Sequence, residues 1–112
     1  MAAAVKLYVS SSTPGSPDVS PYLQFTIDEG SGATFAGGCG SFSSSATLVS
    51  GSTLTNLAST RTSYATGVGS WSPNGAAQTR SYRFTYTVDS AAPNSVQNAS
   101  ATATFTWEAQ NT

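Results

Sequence analysis

Asp28 and Glu29, in the stretch "YLQFTIDEGSG", are adjacent acids and the first candidates for chemistry in this sequence of 112 residues. Two carboxylates can divide acid and base roles, but a glycosidase pair must face each other across about 5 to 9.5 Å. Neighbouring residues of a strand point to opposite faces, which prevents such a meeting. We therefore interpret Asp28 and Glu29 as turn residues, where carboxylate and carbonyl oxygens could alternatively hold calcium.

Other catalytic arrangements lack their essential residues. The sequence has no histidine, which excludes Ser-His-Asp and Cys-His units. One cysteine and five scattered acids do not form a tetrahedral zinc site of the ordinary kind. Cys39, in "GGCGS", is either a loop residue or half of a disulfide to a cysteine elsewhere. The sequence therefore predicts no catalytic residue, no metal site and no cofactor.

Lys6 and Asn111 raise one further possibility, an internal isopeptide crosslink promoted by an acid such as Glu108. Such a bond needs both side chains together in the core. The alternation around Lys6 places it on the polar face of its strand, which argues against the crosslink.

The charge content excludes two classes of partner. Only 8% of residues are charged and the net charge is -1, whereas about a quarter of an average domain is charged. Four basic residues are too few to neutralise phosphates or to attach the chain to an anionic membrane. No apolar run reaches the 18 or so residues that span a bilayer. We predict no nucleic acid partner and no membrane span.

The elements that must position these residues are strands. Four stretches alternate apolar and polar residues, which is typical of half-buried strands: "AVKLYV", "YLQFTID", "SYRFTYTVD" and "SATATFTWEA". Residues 81–89 are the predicted partner of the first stretch. Weaker strands are predicted at 33–35, 46–49 and 63–70, and a single helical turn at 54–59.

The spacing of these strands predicts one all-β domain over residues 1–112. We expect an antiparallel β-sandwich of jelly-roll or immunoglobulin-like kind. Strands 82–88 and 101–109 are its predicted centre, with a core that includes Phe84, Tyr86, Phe105 and Trp107.

Four stretches of the sequence together resemble secreted bacterial matrix proteins of the TasA/camelysin type: "AAAVKLYVSS", "PYLQFTIDEGSGATF", "TSYATGVGSW" and "SYRFTYTVDSAAPNSVQNASATATFTWEAQ". The resemblance is to the C-terminal portion of that family. It implies a jelly-roll-like sandwich, export by a signal peptide and polymerisation into extracellular fibres by donation of an N-terminal strand. The signal peptide and first strands of the family are expected to be missing here, so the donor strand is either missing too or lies in another chain. The metalloendopeptidase activity described for some members is not expected without histidine.

Unpaired backbone groups at sheet edges favour assembly independently of the resemblance. A sheet edge carries unpaired N–H and C=O groups, and few lysines protect the edges of this chain. We predict a structural subunit at the bacterial cell surface, with copies of itself in a head-to-tail filament and Val5, Leu7 and Val9 on the edge strand that assembles.

Two other functions remain open. A carbohydrate-binding module or adhesin would use Tyr22, Tyr64 and Trp71 as a stacking platform for glycans. A phage or virus surface subunit would use the same sandwich fold.

Overall fold

A computed structural model of the chain describes residues 3–34, 36–73 and 78–111. The four alternating stretches are confirmed as strands β1, β2, β5 and β6, and the predicted strand at 46–49 lies within β3. The predicted helical turn is confirmed as the helix α1, which is seven residues long. The elements are β1 (Ala3–Pro14), β2 (Leu23–Ser31), β3 (Ser43–Thr53), α1 (Leu54–Thr60), β4 (Val68–Trp71), β5 (Ser81–Val88) and β6 (Ala101–Asn111).

The two remaining predicted strands are shorter than expected. Thr34 makes only an isolated bridge with Gly38, and Phe35 lies outside the described residues. Residues 63–70 begin with a 3-10 turn at Tyr64–Thr66, and only their last part belongs to β4. The Thr66 amide donates to the Ser63 carbonyl at 3.1 Å, and the Ser63 amide donates to the Thr66 hydroxyl at 3.2 Å, which favours a turn over an extended chain.

The strands form two three-stranded antiparallel sheets, which agrees with the all-β prediction. Their orders are β4-β1-β6 and β3-β2-β5, so β1 and β2 are the central strands. The predicted pairing of the first strand with residues 81–89 is wrong, because β1 pairs with β6 and β5 pairs with β2. Each of the four outer strands has one edge with no strand beside it among the described residues.

The prediction of an edge strand at Val5, Leu7 and Val9 is also wrong. These side chains are buried, and β1 pairs with β6 on one side and with β4 on the other. Alternation shows that one face of a strand is buried, but it does not show whether the strand has one neighbour or two. On the β4 side, β1 pairs between Val5 and Leu7, and its amides at Ala3 and Val9 donate to the carbonyls of Pro73 and Arg61. Ser11 to Pro14 have β6 as their only described partner strand.

The buried core joins both sheets and the helix. Its cluster contains Leu7 and Val9 from β1, Ile27 from β2, Val49 from β3 and Leu57 from α1. The Thr53 hydroxyl caps α1 by accepting from the amide of Asn56 at 3.1 Å, a common start for a helix. Phe84 and Phe105 are half-buried and pack against the cluster.

Two of the predicted core residues lie at the surface instead. Tyr86 is 66% exposed and Trp107 is 46% exposed, as is Val88 at 55%. The predicted centre of the fold is wrong for the same reason, because β5 and β6 are outer strands of two different sheets. These side chains belong to alternating strands, but no described strand lies beyond β5 or β6 to cover them.

Candidate functional site

Aromatic rings connect the two sheets beside β5 and β6. The ring centroids of Phe84 and Phe105 are 5.0 Å apart, and those of Tyr82 and Trp107 are 5.3 Å apart. Each pair joins a ring of one sheet to a ring of the other, so these side chains face the space between the sheets. We call β5, β6 and the exposed side chains of Tyr86, Val88 and Trp107 the open side.

The backbone of β5 presents a regular free edge on the open side. β5 pairs with β2 over eight consecutive residues without a bulge, and the amide of Asp89 extends this ladder by donating to the Tyr22 carbonyl at 2.7 Å. Backbone groups of alternate residues in an antiparallel strand point to opposite neighbours. The backbone N–H and C=O groups of odd-numbered residues of β5 therefore point to β2. The backbone groups of the even-numbered residues point to the free edge, and we call these residues edge-facing: Tyr82, Phe84, Tyr86 and Val88.

The free edges of β3 and β4 are less suited to adding a strand. β4 has only four residues, and the pairing of β3 with β2 shifts register at three points. Short strands and bulges are both devices that protect an edge from pairing with another chain. β5 has neither device, and its edge-facing residues also carry the apolar side chains that face the space between the sheets.

A groove of about 470 Å³ opens beside the first residues of β5. Its apolar wall is formed by Tyr82, Phe84 and Trp107, and Arg80 and Ser81 also line it. The Arg80 guanidinium lies over the Trp71 ring, 5.8 Å from its centroid. The groove is therefore an apolar recess with a cation beside it, a suitable place for an apolar side chain of a partner.

Asp28 lies within β2 and is buried, so its interpretation as a turn residue is wrong. Its carboxylate accepts from the Thr47 hydroxyl at 2.7 Å and from the Arg83 guanidinium at 3.0 Å. These two hydrogen bonds, the first one most, hold the pKa of Asp28 below its ordinary value. The Arg83 guanidinium also lies 4.9 Å from the centroid of the Phe42 ring.

Glu29 is buried on the opposite face of β2, so it too is not a turn residue. It accepts from the Tyr82 hydroxyl at 2.8 Å and lies 3.9 Å from the Arg80 guanidinium. Burial, and then this hydrogen bond, raise the pKa of Tyr82 above its ordinary value. The two acids thus have separate partners on separate faces, which is not the geometry of a catalytic pair. Within the described ranges, no three His, Cys, Asp or Glu residues are grouped so as to hold a metal ion.

The three aromatic residues predicted as a glycan platform do not share one surface. Tyr22 precedes β2, beside Asp89 at the end of β5. Trp71 pairs with Val5 and lies near Arg80, before the start of β5. The Tyr64 hydroxyl donates to the carbonyl of Ala4 at 3.3 Å, and its ring lies beside Lys6.

The remaining candidates for chemistry are also separated. Cys39 is an exposed free thiol in the described part of the chain. Lys6 pairs with Glu108 and Asn111 pairs with Ala3, three residues away, so the Lys6 and Asn111 side chains leave opposite faces of the sheet. Glu108 is held by hydrogen bonds from Gln110 and Tyr8, which lower its pKa. This geometry does not favour an isopeptide crosslink.

The open side itself was missed by sequence reasoning. The alternation in residues 81–89 showed which side chains share a face, but strand partners cannot be deduced from alternation alone. One signal was present: β5 carries four apolar residues and only one charge, Arg83, which is unusual for an outer strand of a protein that stays monomeric.

Comparisons with known proteins leave the family of this chain open. No protein-family model matches it, and no curated protein or solved structure is similar enough to count as a relative. None of the helices in the described residues is long and apolar enough to cross a membrane.

Proposed function

We propose that this protein is a structural subunit of a secreted bacterial surface or biofilm-matrix fibre, in which copies join by adding strands to one another's sheets. The observation that carries the proposal is the open side, where a regular free edge and exposed apolar side chains coincide. The resemblance of the sequence to TasA/camelysin-type proteins supports the same class and an extracellular location. The proposal includes no enzymatic activity.

The proposed architecture is a jelly-roll or immunoglobulin-like β-sandwich that lacks a closing strand at the open side. Ring contacts between the sheets support this arrangement, because Phe25 of β2 and Phe84 of β5 both meet Phe105 of β6. A strand added beside β5 would extend the sheet β3-β2-β5 and cover the space between the two sheets.

Burial on the open side gives assembly a substantial driving force. Fully burying a large apolar side chain contributes roughly 1.5 to 3 kcal/mol. Tyr86, Val88 and Trp107 are 66%, 55% and 46% exposed, so about half to two thirds of that contribution remains available from each. The incoming strand also pairs backbone groups that otherwise bond only to water, which adds directional specificity.

A filament requires contacts on two sides of each subunit. β5 and β6 have free edges on the open side, and β3 and β4 are the outer strands at the other ends of the two sheets. In a head-to-tail filament, the open side of one copy contacts the β3 and β4 side of the next. In the alternative, contacts between two open sides alternate with contacts between two β3 and β4 sides, and both arrangements extend without limit.

Electron microscopy combined with tryptophan fluorescence tests this function. In Trp71→Phe, Trp107 is the only tryptophan, because the chain contains two. We expect filaments in negative stain at high protein concentration, with a shift of Trp107 emission to shorter wavelength as they form. The matched variant Trp107→Phe reports on Trp71, which is already half-buried, and should show a smaller shift. A monodisperse monomer at high concentration would contradict the proposal.

A further inference from the structure

We infer that the strand that covers the β5 edge is β5 of a second copy, paired antiparallel around a two-fold axis at Thr85. The inference rests on the proposed function only in taking the partner to be another copy of this chain. It specifies the contacting residues and the symmetry of that contact.

The arrangement of the backbone groups selects the register. When two copies of one strand pair antiparallel around a two-fold axis, the residue numbers of every opposed pair add up to the same value. The side chains of an opposed pair lie on the same face of the sheet. With Thr85 on the axis, Tyr82 lies opposite Val88 of the second copy, and Phe84 lies opposite Tyr86. Every edge-facing residue of β5 then meets another edge-facing residue and exchanges two hydrogen bonds with it. With Phe84 on the axis, Val88 would instead face Arg80, which lies outside β5.

The same register covers the exposed apolar side chains. Val88 of the second copy lies opposite Tyr82, and Tyr82 lines the groove with Phe84 and Trp107. Tyr86 of the second copy lies opposite Phe84. The two-fold axis repeats each contact, so the exposed surface of both copies is covered in one step.

The register also avoids charge repulsion. Asp89 of one copy lies opposite the uncharged Ser81 of the other. Arg83 lies opposite Thr87, so no two like charges are directly opposed. A contact of this kind closes on itself, so a filament built from such dimers must grow through another contact, for which the β3 and β4 edges remain.

A cysteine crosslink tests the axis. The backbone of Thr85 faces β2, so two Thr85 residues on the axis form a non-hydrogen-bonded pair with Cα atoms about 4.5 Å apart. A disulfide accepts that separation. Thr87 is the matched control, because it is also exposed on the same face, but two copies of Thr87 would lie about 13 Å apart or more. Both variants are made with Cys39→Ser, which removes the exposed native thiol.

Under mild oxidation we expect most of Thr85→Cys to become a covalent dimer, because a disulfide can span the distance between the two Thr85 positions. Less than about a tenth of Thr87→Cys should do so, because the two Thr87 positions are too far apart for a disulfide. Equal crosslinking of the two variants would overturn the inference. Sedimentation of the unmodified chain adds an independent measurement, in which a dimer is the smallest expected assembly and a series that begins at a trimer contradicts the two-fold contact.

The two proposals fail separately in these experiments. If filaments form but Thr85→Cys does not crosslink, the two-fold contact is wrong and the fibre function stands. If Thr85→Cys crosslinks selectively but no filaments form, the two-fold contact stands and the fibre function is wrong.

Discussion

Tyr86→Pro is expected to abolish assembly while the monomer stays folded. The N–H of Tyr86 points to the free edge of β5, so its loss breaks no hydrogen bond within the monomer. Proline does remove a donor that an incoming strand would use, and its ring obstructs the approach of that strand. Electron microscopy and sedimentation measure assembly, and circular dichroism measures folding.

Two matched variants separate this effect from other consequences of the change. Tyr86→Ala loses the ring contact with Phe25 but keeps the N–H, so we expect assembly that is weakened rather than lost. Thr85→Pro removes an N–H that faces β2, and leaving its acceptor unpaired should destabilise the monomer by about 1 to 3 kcal/mol. If Tyr86→Pro assembles as well as Tyr86→Ala does, the β5 edge is not the site of assembly.

Leu7→Ala is expected to lower the free energy of unfolding of the monomer by about 2 to 5 kcal/mol. Leu7 is 2% exposed and belongs to the cluster that joins both sheets, so its truncation leaves a cavity that its neighbours cannot fully close. Since domains are typically stable by about 5 to 15 kcal/mol, a loss of this size is a large fraction of the total. Urea denaturation at low protein concentration, where the chain is monomeric, measures the change.

Val88→Ala is the matched control for Leu7→Ala. Val88 is 55% exposed in the monomer, so its truncation should change the free energy of unfolding by only about 0.5 kcal/mol. The same variant should weaken assembly, because Val88 is covered there. Equal destabilisation by the two substitutions would contradict the placement of β1 at the centre of its sheet.

The main strands could be predicted from the sequence because their signal is local. The alternation of Phe84, Tyr86, Phe105 and Trp107 with polar residues correctly marked β5 and β6 as strands. Their neighbours could not be predicted in the same way, since strand pairing depends on the path of the whole chain. The same four residues were therefore grouped as a core, although Tyr86 and Trp107 lie at a border that no described strand covers.

The candidate site was only partly accessible from the sequence. Low charge and the resemblance to fibre proteins indicated an unprotected edge, but the edge was assigned to Val5, Leu7 and Val9, which are interior. Asp28 and Glu29 are predicted as turn residues because neighbouring acids of a strand point to opposite faces and cannot form a catalytic pair. Their hydrogen-bond partners are Thr47, Arg83 and Tyr82, which are at least 19 residues distant in the chain and reach them only through strand pairing.

Hydrogen exchange of the β5 amides, resolved by residue, tests most directly whether the open side is the surface covered on assembly. In the monomer, the amides of Phe84 and Tyr86 should exchange quickly, whereas those of Arg83 and Thr85 are protected by β2. On assembly, the amides of Phe84 and Tyr86 should become protected as well, with little change at Arg83 and Thr85. Fast exchange at Phe84 and Tyr86 in the assembled state would contradict the account.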